Sequence, residues 1–322
     1  MSNTIWVLVE LENGQPARSS LEVLGKAAQL GRAEAIVLGT NASEVASTLV
    51  EYGASKVYAH DDAIYDSYLT LPAVDTISEL LKQNQPAILL LATTYDLRDI
   101  AARLNVRHNM GLITDATDLQ FEGDTLQISV PWGGENVVTA TFPKQGTGIV
   151  LTRPKAFGLE RFEGKTAEVE ALNPSLNTES QKMKILDRVV VQSEGPELEE
   201  ASVIVSGGRG LGKAENFRLV EELAAALGGA AGATRAIVDA GWLPYSYQIG
   251  QTGKTVKPTL YIACGISGAI QHISGMKGSK FIVAINKDEN APIFSMSDLG
   301  VVGDALTILP QLTEEVKKRK AQ

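Results

Sequence analysis

Several chemically versatile residues are scarce in this chain of 322 residues. It contains one cysteine, Cys264, and three histidines, which excludes an internal disulfide and argues against a structural zinc site. No apolar run approaches the roughly 20 residues of a membrane-spanning helix, so membrane insertion is not expected. The amino-terminal residues resemble neither a signal peptide nor a transit peptide. We expect a cytoplasmic protein, although a processed mitochondrial matrix protein would fit the same sequence.

The chain has an excess of acidic residues. Its 38 Asp and Glu residues against 29 Lys and Arg residues give a net charge of −9. This balance argues against nucleic acid as a partner. The hydrophobic fraction of 44% and the charged fraction of 21% are those of a globular protein. The length exceeds that of one ordinary hydrophobic core, so we expect two domains.

Short apolar runs alternate with segments of helical spacing along most of the chain. This alternation predicts an α/β fold with mostly parallel sheets in both halves. Between residues 112 and 153, apolar and polar residues alternate around glycine turns, which predicts antiparallel strands appended to the first sheet. We place the domain boundary near residue 190, giving domains at 1–190 and 191–322.

The most informative stretch spans residues 261–286. It reads as a buried strand, a turn of small residues, a helix whose first turns contain His272, and a second buried strand. A glycine- and serine-rich turn between a strand and a helix leaves backbone N–H groups uncovered at the helix amino terminus. Such a terminus attracts anions, and phosphate above all. The stretch therefore predicts a nucleotide or dinucleotide site.

Two further glycine-rich loops resemble phosphate-binding motifs without matching them. Residues 206–213, SGGRGLGK, fit G-x-x-x-x-G-K, but Ala214 follows where a Mg²⁺-binding hydroxyl residue is needed. The dinucleotide pattern G-x-G-x-x-G fails from both Gly208 and Gly210. In the second loop, residues 248–255, Gln248 replaces the first glycine of the motif. Each loop alone is compatible with a plain glycine-rich connection, and together with residues 265–272 they favour a nucleotide site.

Few side chains stand out as candidates for chemistry. Arg209 and Arg235 lie among small residues, where a long cation can reach a bound anion or form a surface ion pair. His272 is compatible with a core or surface histidine as well as with a ligand contact. The polar residues of the first domain form no catalytic arrangement that the sequence supports: Arg98, Asp99, His108 and Asp115.

Long segments of the second domain resemble one family. SGGRGLG, ATRAIVDAGW, QIGQTGKTVKPTLYIACGISGAIQHISGMKGSKFIVAINKDENAPIF and DLGVVGD are similar to the electron transfer flavoprotein α subunit. LATTYDLRDIAARL and LTRPKAF extend a looser resemblance into the first domain. The resemblance implies a Rossmann-like FAD-binding domain and an αβ heterodimer. Its β subunit would bind AMP, or a second FAD in a bifurcating variant.

The resemblance also implies a function and a set of cofactor-binding residues. Such a protein carries electrons, through a flavin semiquinone, from flavin dehydrogenases to a quinone oxidoreductase or another acceptor, and has no substrate turnover of its own. Arg235 and His272 would place positive charge and hydrogen bonds near the flavin ring and favour its anionic reduced form. Asn286 and Asp304 would hold the adenosine end. The full set of implied FAD-binding residues is Arg209, Thr234, Arg235, Ile249, Gly250, Gln251, Thr252, Ser267, Gly268, Ala269, Ile270, Gln271, His272, Asn286 and Asp304.

Two other functions remain open from the sequence. The same loops could serve an NAD(P)-dependent or nucleotide-dependent enzyme, although Ala214 argues against an NTPase. A subunit that kept the fold and lost FAD is the third alternative, which the intact run of binding residues disfavours. Simple electron transfer and flavin-based bifurcation are not separable from this chain.

Overall fold

The computed structural model of this chain describes residues 4–123, 125–132, 136–142, 146–164, 166–188, 197–199 and 201–320. The chain divides into two compact units, residues 1–188 and residues 189–322. The domain boundary expected near residue 190 lies outside the described residues. Each unit is built on a parallel sheet, which confirms the predicted α/β class.

The first unit contains a parallel sheet of seven strands in the order β12-β5-β4-β1-β6-β11-β7. These strands are β1 (Thr4–Val9), β4 (Arg32–Leu38), β5 (Lys56–His60), β6 (Ile88–Ala92), β7 (Leu112–Ala116), β11 (Gly148–Thr152) and β12 (Glu168–Ala171). A two-stranded hairpin, β2 (Leu11–Glu12) and β3 (Gln15–Pro16), follows β1. The helices are α1 (Arg18–Leu30), α2 (Ala46–Glu51), α3 (Ile64–Ser67), α4 (Leu71–Gln83) and α5 (Tyr95–His108).

Two neighbouring strands of this sheet are buried along their whole length. Every residue of β6 and of β11 is buried. A strand in the middle of a parallel sheet has neighbours on both faces, so it has no solvent side on which polar residues could alternate. This burial explains why β6 is a continuous apolar run in the sequence.

The structure differs from the prediction for residues 112–153 in two respects. Strands β8 (Asp118–Glu122), β9 (Thr125–Trp132) and β10 (Asn136–Ala140) form a separate three-stranded sheet and do not extend the seven-stranded one. The flanking strands β7 and β11 also lie within residues 112–153, and for them the antiparallel prediction is wrong, because they pair in parallel within the main sheet. Alternating polarity correctly indicated antiparallel pairing, but it carries no information on which strand edge a hairpin joins.

The second unit contains a parallel sheet of six strands in the order β15-β14-β13-β16-β17-β18. The strands are β13 (Val203–Gly207), β14 (Ala230–Thr234), β15 (Gln248–Ile249), β16 (Leu260–Cys264), β17 (Phe281–Asn286) and β18 (Leu299–Val302). The helices are α6 (Arg218–Leu227), α7 (Arg235–Val238), α8 (Ile270–Met276) and α9 (Ala305–Lys320). Short 3-10 turns at Arg209–Leu211, Ala214–Phe217, Tyr245–Tyr247 and Pro292–Met296 complete the unit.

Hydrophobic residues cover both faces of this second sheet. One cluster includes Ile204, Tyr261 and Met276, and another, against α6 and α9, includes Val205, Leu223 and Leu309. The sheet is therefore sandwiched between two apolar layers, and its strand ends are held in fixed positions. Among the described helices of the whole chain, none is long and apolar enough to cross a membrane.

Candidate functional site

A cavity of about 610 Å³ opens where the strands of the second sheet end. Its lining comes from the segments that follow β13, β14, β15, β16 and β17. The strand order reverses direction between β13 and β16, because β14 lies on one side of β13 and β16 on the other. Ligands of open α/β sheets bind at such a switch point, outside the carboxyl ends of the strands. The volume lies within the roughly 300–1,000 Å³ typical of ligand pockets.

Glycines allow two loops to meet at this switch point. A Cβ atom on Gly208 would lie 2.6 Å from the carbonyl oxygen of Gly265, and one on Gly210 would lie 2.7 Å from the Cα of Gly265. Gly265 itself has a φ of +61°, in the left-handed region. The Gly210 N–H donates to the Gly265 carbonyl oxygen at 2.9 Å. The loops after β13 and β16 therefore touch backbone to backbone, and side chains at these positions would force them apart.

The opposite wall is formed by residues 249–252, which lie against helix α8. The Gln251 N–H donates to the Gln271 carbonyl oxygen at 2.7 Å. A Cβ on Gly275 would lie 2.5 Å from the Cα and N atoms of Gly250, so the helix and the loop are in backbone contact. Gln248 is buried and donates from Nε2 to Thr252 Oγ1 at 3.1 Å. One hydrogen bond thus joins the loop to α8, and the other holds the two ends of the loop together.

Thr234 provides an unsatisfied polar atom at the cavity. It stands at the N-cap position of α7, yet its side chain makes no cap hydrogen bond. Its Oγ1 is buried and has no hydrogen-bond partner within the described part of the chain. A buried hydroxyl without a partner costs about 1–3 kcal/mol. A ligand in this cavity that offers a polar atom to Thr234 would remove that cost.

Two arginines supply positive charge to the cavity. The Nε of Arg235 lies 3.0 Å from Asp239 Oδ2, and both side chains are more than half exposed. Arg209 is exposed and also lines the cavity. Because an exposed ion pair is weak, Arg235 remains able to exchange its partner for an anionic ligand. Asp239 was absent from the predicted site, although a carboxylate four residues after Arg235 is a recognisable pairing signal.

His272 is buried and neutral, which corrects the expectation that it adds positive charge. Its Nδ1 lies 3.0 Å from the Ile249 carbonyl oxygen and its Nε2 lies 3.0 Å from the Tyr261 hydroxyl. Burial lowers the His272 pKa to about 4, opposed by the hydrogen bond to Ile249. A histidine with this pKa is uncharged at neutral pH. Positive charge toward a ligand therefore comes from the two arginines.

Most of the predicted residues come together at the cavity. Those that line it are Arg209, Thr234, Arg235, Ile249, Gly250, Gln251, Thr252, Ser267, Ala269, Gln271, His272 and Asn286. The other three, Gly268, Ile270 and Asp304, do not line it.

Each of these three residues has a different environment. A Cβ on Gly268, whose φ is +90°, would lie 2.4 Å from the backbone nitrogen of Ile293, so the residue permits a close backbone contact. The Ile270 side chain points to solvent and is 72% exposed. Asp304 accepts a hydrogen bond from the Leu306 N–H at 2.9 Å and pairs with Lys287 at 3.0 Å. Asp304 therefore caps α9 in this structure.

The cavity is also lined by residues that were not among the predicted cofactor-binding residues. They are Gly208, Gly210, Ala236, Asp239, Gln248, Gly265, Ile266, Asp288, Ala291 and Pro292. The three glycines belong to loops already recognised as glycine-rich, and naming the whole loops would have found them. Ala291 and Pro292 lie in the connection after β17, which belongs to the segment that resembles the family but was not assigned to the cofactor.

Comparisons with known proteins identify the class of the second unit. Residues 197–277 match the family model described as the electron transfer flavoprotein FAD-binding domain, and residues 5–177 match the electron transfer flavoprotein domain. The first match includes every cavity segment up to His272. The second unit is therefore a flavoprotein domain, and its cofactor is FAD, as expected from the sequence.

Relatives extend this similarity to almost the whole chain. The electron transfer flavoprotein subunit alpha of Thermoanaerobacterium thermosaccharolyticum is 40% identical over 98% of both chains. That of Mycobacterium leprae is 44% identical over 98% of both chains. The protein FixB of Clostridium saccharobutylicum is 39% identical over 98% of this chain and 96% of its own. The present chain belongs to the electron transfer flavoprotein α-subunit family.

Proposed function

We propose that this chain is the α subunit of a heterodimer that carries electrons and does not turn over a substrate of its own. Electrons would pass singly, through a flavin semiquinone, from flavin dehydrogenases to a quinone oxidoreductase or another acceptor. The observation that carries the proposal is the cavity at the β13–β16 switch point, inside the region that matches the FAD-binding domain. Relatives named subunit alpha support a β-subunit partner.

The described residues fit FAD in polarity and charge. Arg209 and Arg235 would face the anionic pyrophosphate or the electron-rich ring system. The unpartnered Thr234 hydroxyl would bond a polar atom of the cofactor. The peptide groups of the glycine loops at 208–210 and 265–267 allow close approach of a large ligand to the backbone.

FAD supplies the redox chemistry when it is bound, and the chain supplies its environment. Buried Ile249 and Ile266 line the cavity and exclude water from part of it. In such a medium, the charge of Arg235 acts more strongly on a nearby electron-rich group than it would in water. Arg235 would therefore raise the reduction potential of the flavin by stabilising added negative charge.

We further propose that the first unit is the scaffold on which the β subunit assembles. This role rests on the match of residues 5–177 to the electron transfer flavoprotein domain. Whether the β subunit contributes AMP or a second FAD stays a prediction, and so does the cytoplasmic location. Counting flavins per purified heterodimer separates simple transfer, with one FAD, from a bifurcating variant, with more.

The test compares two arginines that form equivalent ion pairs. Arg235 pairs with Asp239 at the cavity, and Arg319 pairs with Glu315 on α9, both four residues apart and exposed. Arg235→Ala and Arg319→Ala would be purified with the β subunit, and flavin content, midpoint potentials and thermal stability would be measured. Arg235→Ala is expected to lower the flavin potential and leave stability almost unchanged, whereas Arg319→Ala should alter neither.

Two results would contradict the proposal. A wild-type heterodimer that purifies without flavin would reject FAD in this cavity. Potentials in Arg235→Ala identical to those of Arg319→Ala would reject the placement of Arg235 near the ring. Hydride transfer from a pyridine nucleotide by the purified protein would instead favour the enzyme alternative.

A further inference from the structure

A buried row of polar groups runs behind the cavity wall, from β16 through α8 to β15. Tyr261 is 0% exposed, and its hydroxyl lies 3.0 Å from His272 Nε2. The other ring nitrogen, Nδ1, lies 3.0 Å from the Ile249 carbonyl oxygen. A carbonyl oxygen can only accept, so Nδ1 carries the imidazole proton. Nε2 is then a lone-pair acceptor, and the Tyr261 hydroxyl donates to it.

The protonation states of the neighbouring groups agree with this assignment. Burial lowers the pKa of His272 to about 4 and raises that of Tyr261. Burial also raises the pKa of the Cys264 thiol, on the same strand as Tyr261, to about 12. All three groups are therefore neutral near pH 7. Ser206, on the neighbouring strand β13 in register with Ala263, is buried, and its hydroxyl partly opposes the effect of burial on the Tyr261 pKa.

The ring of His272 is connected to the wall that faces the cofactor. The Nδ1 of His272 hydrogen-bonds the backbone carbonyl of Ile249. The next residue, Gly250, is in backbone contact with Gly275 of α8. The Gln251 N–H is bonded to Gln271, the neighbour of His272 in the helix. A change in the orientation of the ring would therefore move the backbone at residues 249–252.

We propose that Tyr261 is a positioning residue that holds the His272 ring in its neutral Nδ1–H tautomer and thereby fixes residues 249–252 against the flavin. The proposal rests on the proposed placement of FAD in this cavity. Removing the Tyr261 hydroxyl leaves His272 Nε2 buried without a hydrogen-bond partner, which costs free energy. Rotation of the His272 ring toward the cavity or toward solvent would reduce that cost. Tyr261 itself does not line the cavity, and it acts only through His272.

A plain packing role for Tyr261 makes a different prediction. If Tyr261 only fills the core, Tyr261→Phe would lower the stability of the protein. It would leave the protonation of the His272 ring and the flavin spectrum unchanged. Tyr58 provides the matched control, because it is also buried and its hydroxyl donates to Glu34 Oε2 at 3.2 Å in the first unit. Tyr58→Phe removes one buried hydroxyl hydrogen bond without touching the cavity.

The experiment uses the full chain in its native complex with FAD, labelled with ¹⁵N-histidine. Long-range ¹H–¹⁵N spectra are recorded between pH 5.5 and pH 8, together with the flavin absorption spectrum and midpoint potential. We expect a neutral Nδ1–H ring for His272 across this range in the wild type and in Tyr58→Phe. In Tyr261→Phe we expect a shift of the Nε2 resonance, a changed flavin spectrum and a shifted potential.

Two results would overturn the proposal. One is a wild-type His272 that is cationic or carries its proton on Nε2, and this measurement does not depend on any variant folding. The other is a Tyr261→Phe protein whose imidazole and flavin signals equal those of Tyr58→Phe. The placement of FAD is judged separately, by the flavin content and potential of Arg235→Ala, so that failure of one is not mistaken for failure of the other.

Discussion

Gly275→Ala tests whether the contact between α8 and the cavity wall is required for cofactor binding. Glycine inside a helix destabilises it by about 0.5–1 kcal/mol relative to alanine, so the substitution should be favourable on propensity alone. The new Cβ would, however, lie 2.5 Å from backbone atoms of Gly250, which are not free to rotate away. Forcing extra atoms into a packed contact costs about 1–3 kcal/mol. The packing cost exceeds the propensity gain on average, so we expect a net loss of about 1 kcal/mol and weaker FAD binding.

Gly25→Ala in α1 is the matched control. It is also a helical glycine, but its Cβ would meet nothing closer than 3.7 Å, at Glu160. This variant should gain about 0.5–1 kcal/mol and bind FAD normally. Urea unfolding followed by flavin fluorescence reports the second unit, and circular dichroism reports both, because two units need not unfold in one step. Gly275→Ala that is stabilised like Gly25→Ala and retains full FAD affinity would refute the reasoning.

Three further predictions concern single side chains. Thr234→Val should stabilise the FAD-free chain in urea unfolding, because it removes a buried hydroxyl without a partner. The same substitution should weaken FAD binding, and Thr234→Ser should restore it. FAD affinity equal to wild type in Thr234→Val would contradict this prediction. Burial, with the nearby acidic residues, raises the Glu10 pKa to about 7. Between about pH 4.5 and pH 7 the folded chain therefore keeps a proton on Glu10 that the unfolded chain has lost. The folded state loses stability as pH rises through this range. Glu10→Gln should flatten that part of the pH–stability curve, and an unchanged slope would reject the assignment. Asp304→Ala should lower thermal stability by uncapping α9, and thermal unfolding no different from wild type would contradict the capping role.

The sheets and the location of the site were predictable because their physical causes are local. The buried strands of parallel sheets have continuous apolar sequences, as in Ile88–Ala92. Gly148–Thr152 is equally buried but was expected to be antiparallel. Glycine-rich turns after Gly207 and Cys264 marked the two loops that meet at the switch point. Both signals are short-range, so one sequence without relatives is enough to read them.

The features that the sequence did not predict depend on long-range packing. The environment of His272 is set by Tyr261 and by the carbonyl of Ile249, which is 23 residues away along the chain. Burial then removes the charge that the residue type suggested. Asp304 was assigned to the cofactor from the resemblance alone, and its capping contact with the Leu306 N–H at the start of α9 was not predicted. The separate three-stranded sheet likewise depends on which edges were available for pairing.

The central claim is that FAD occupies the cavity at the carboxyl ends of β13 to β17. Hydrogen–deuterium exchange of the purified heterodimer, before and after removal of its flavin, tests it most directly. We expect FAD to slow exchange at residues 208–210, 234–239, 248–252 and 265–272, with little change in the sheet of the first unit. Protection confined to other segments, or absent from these four, would contradict the account.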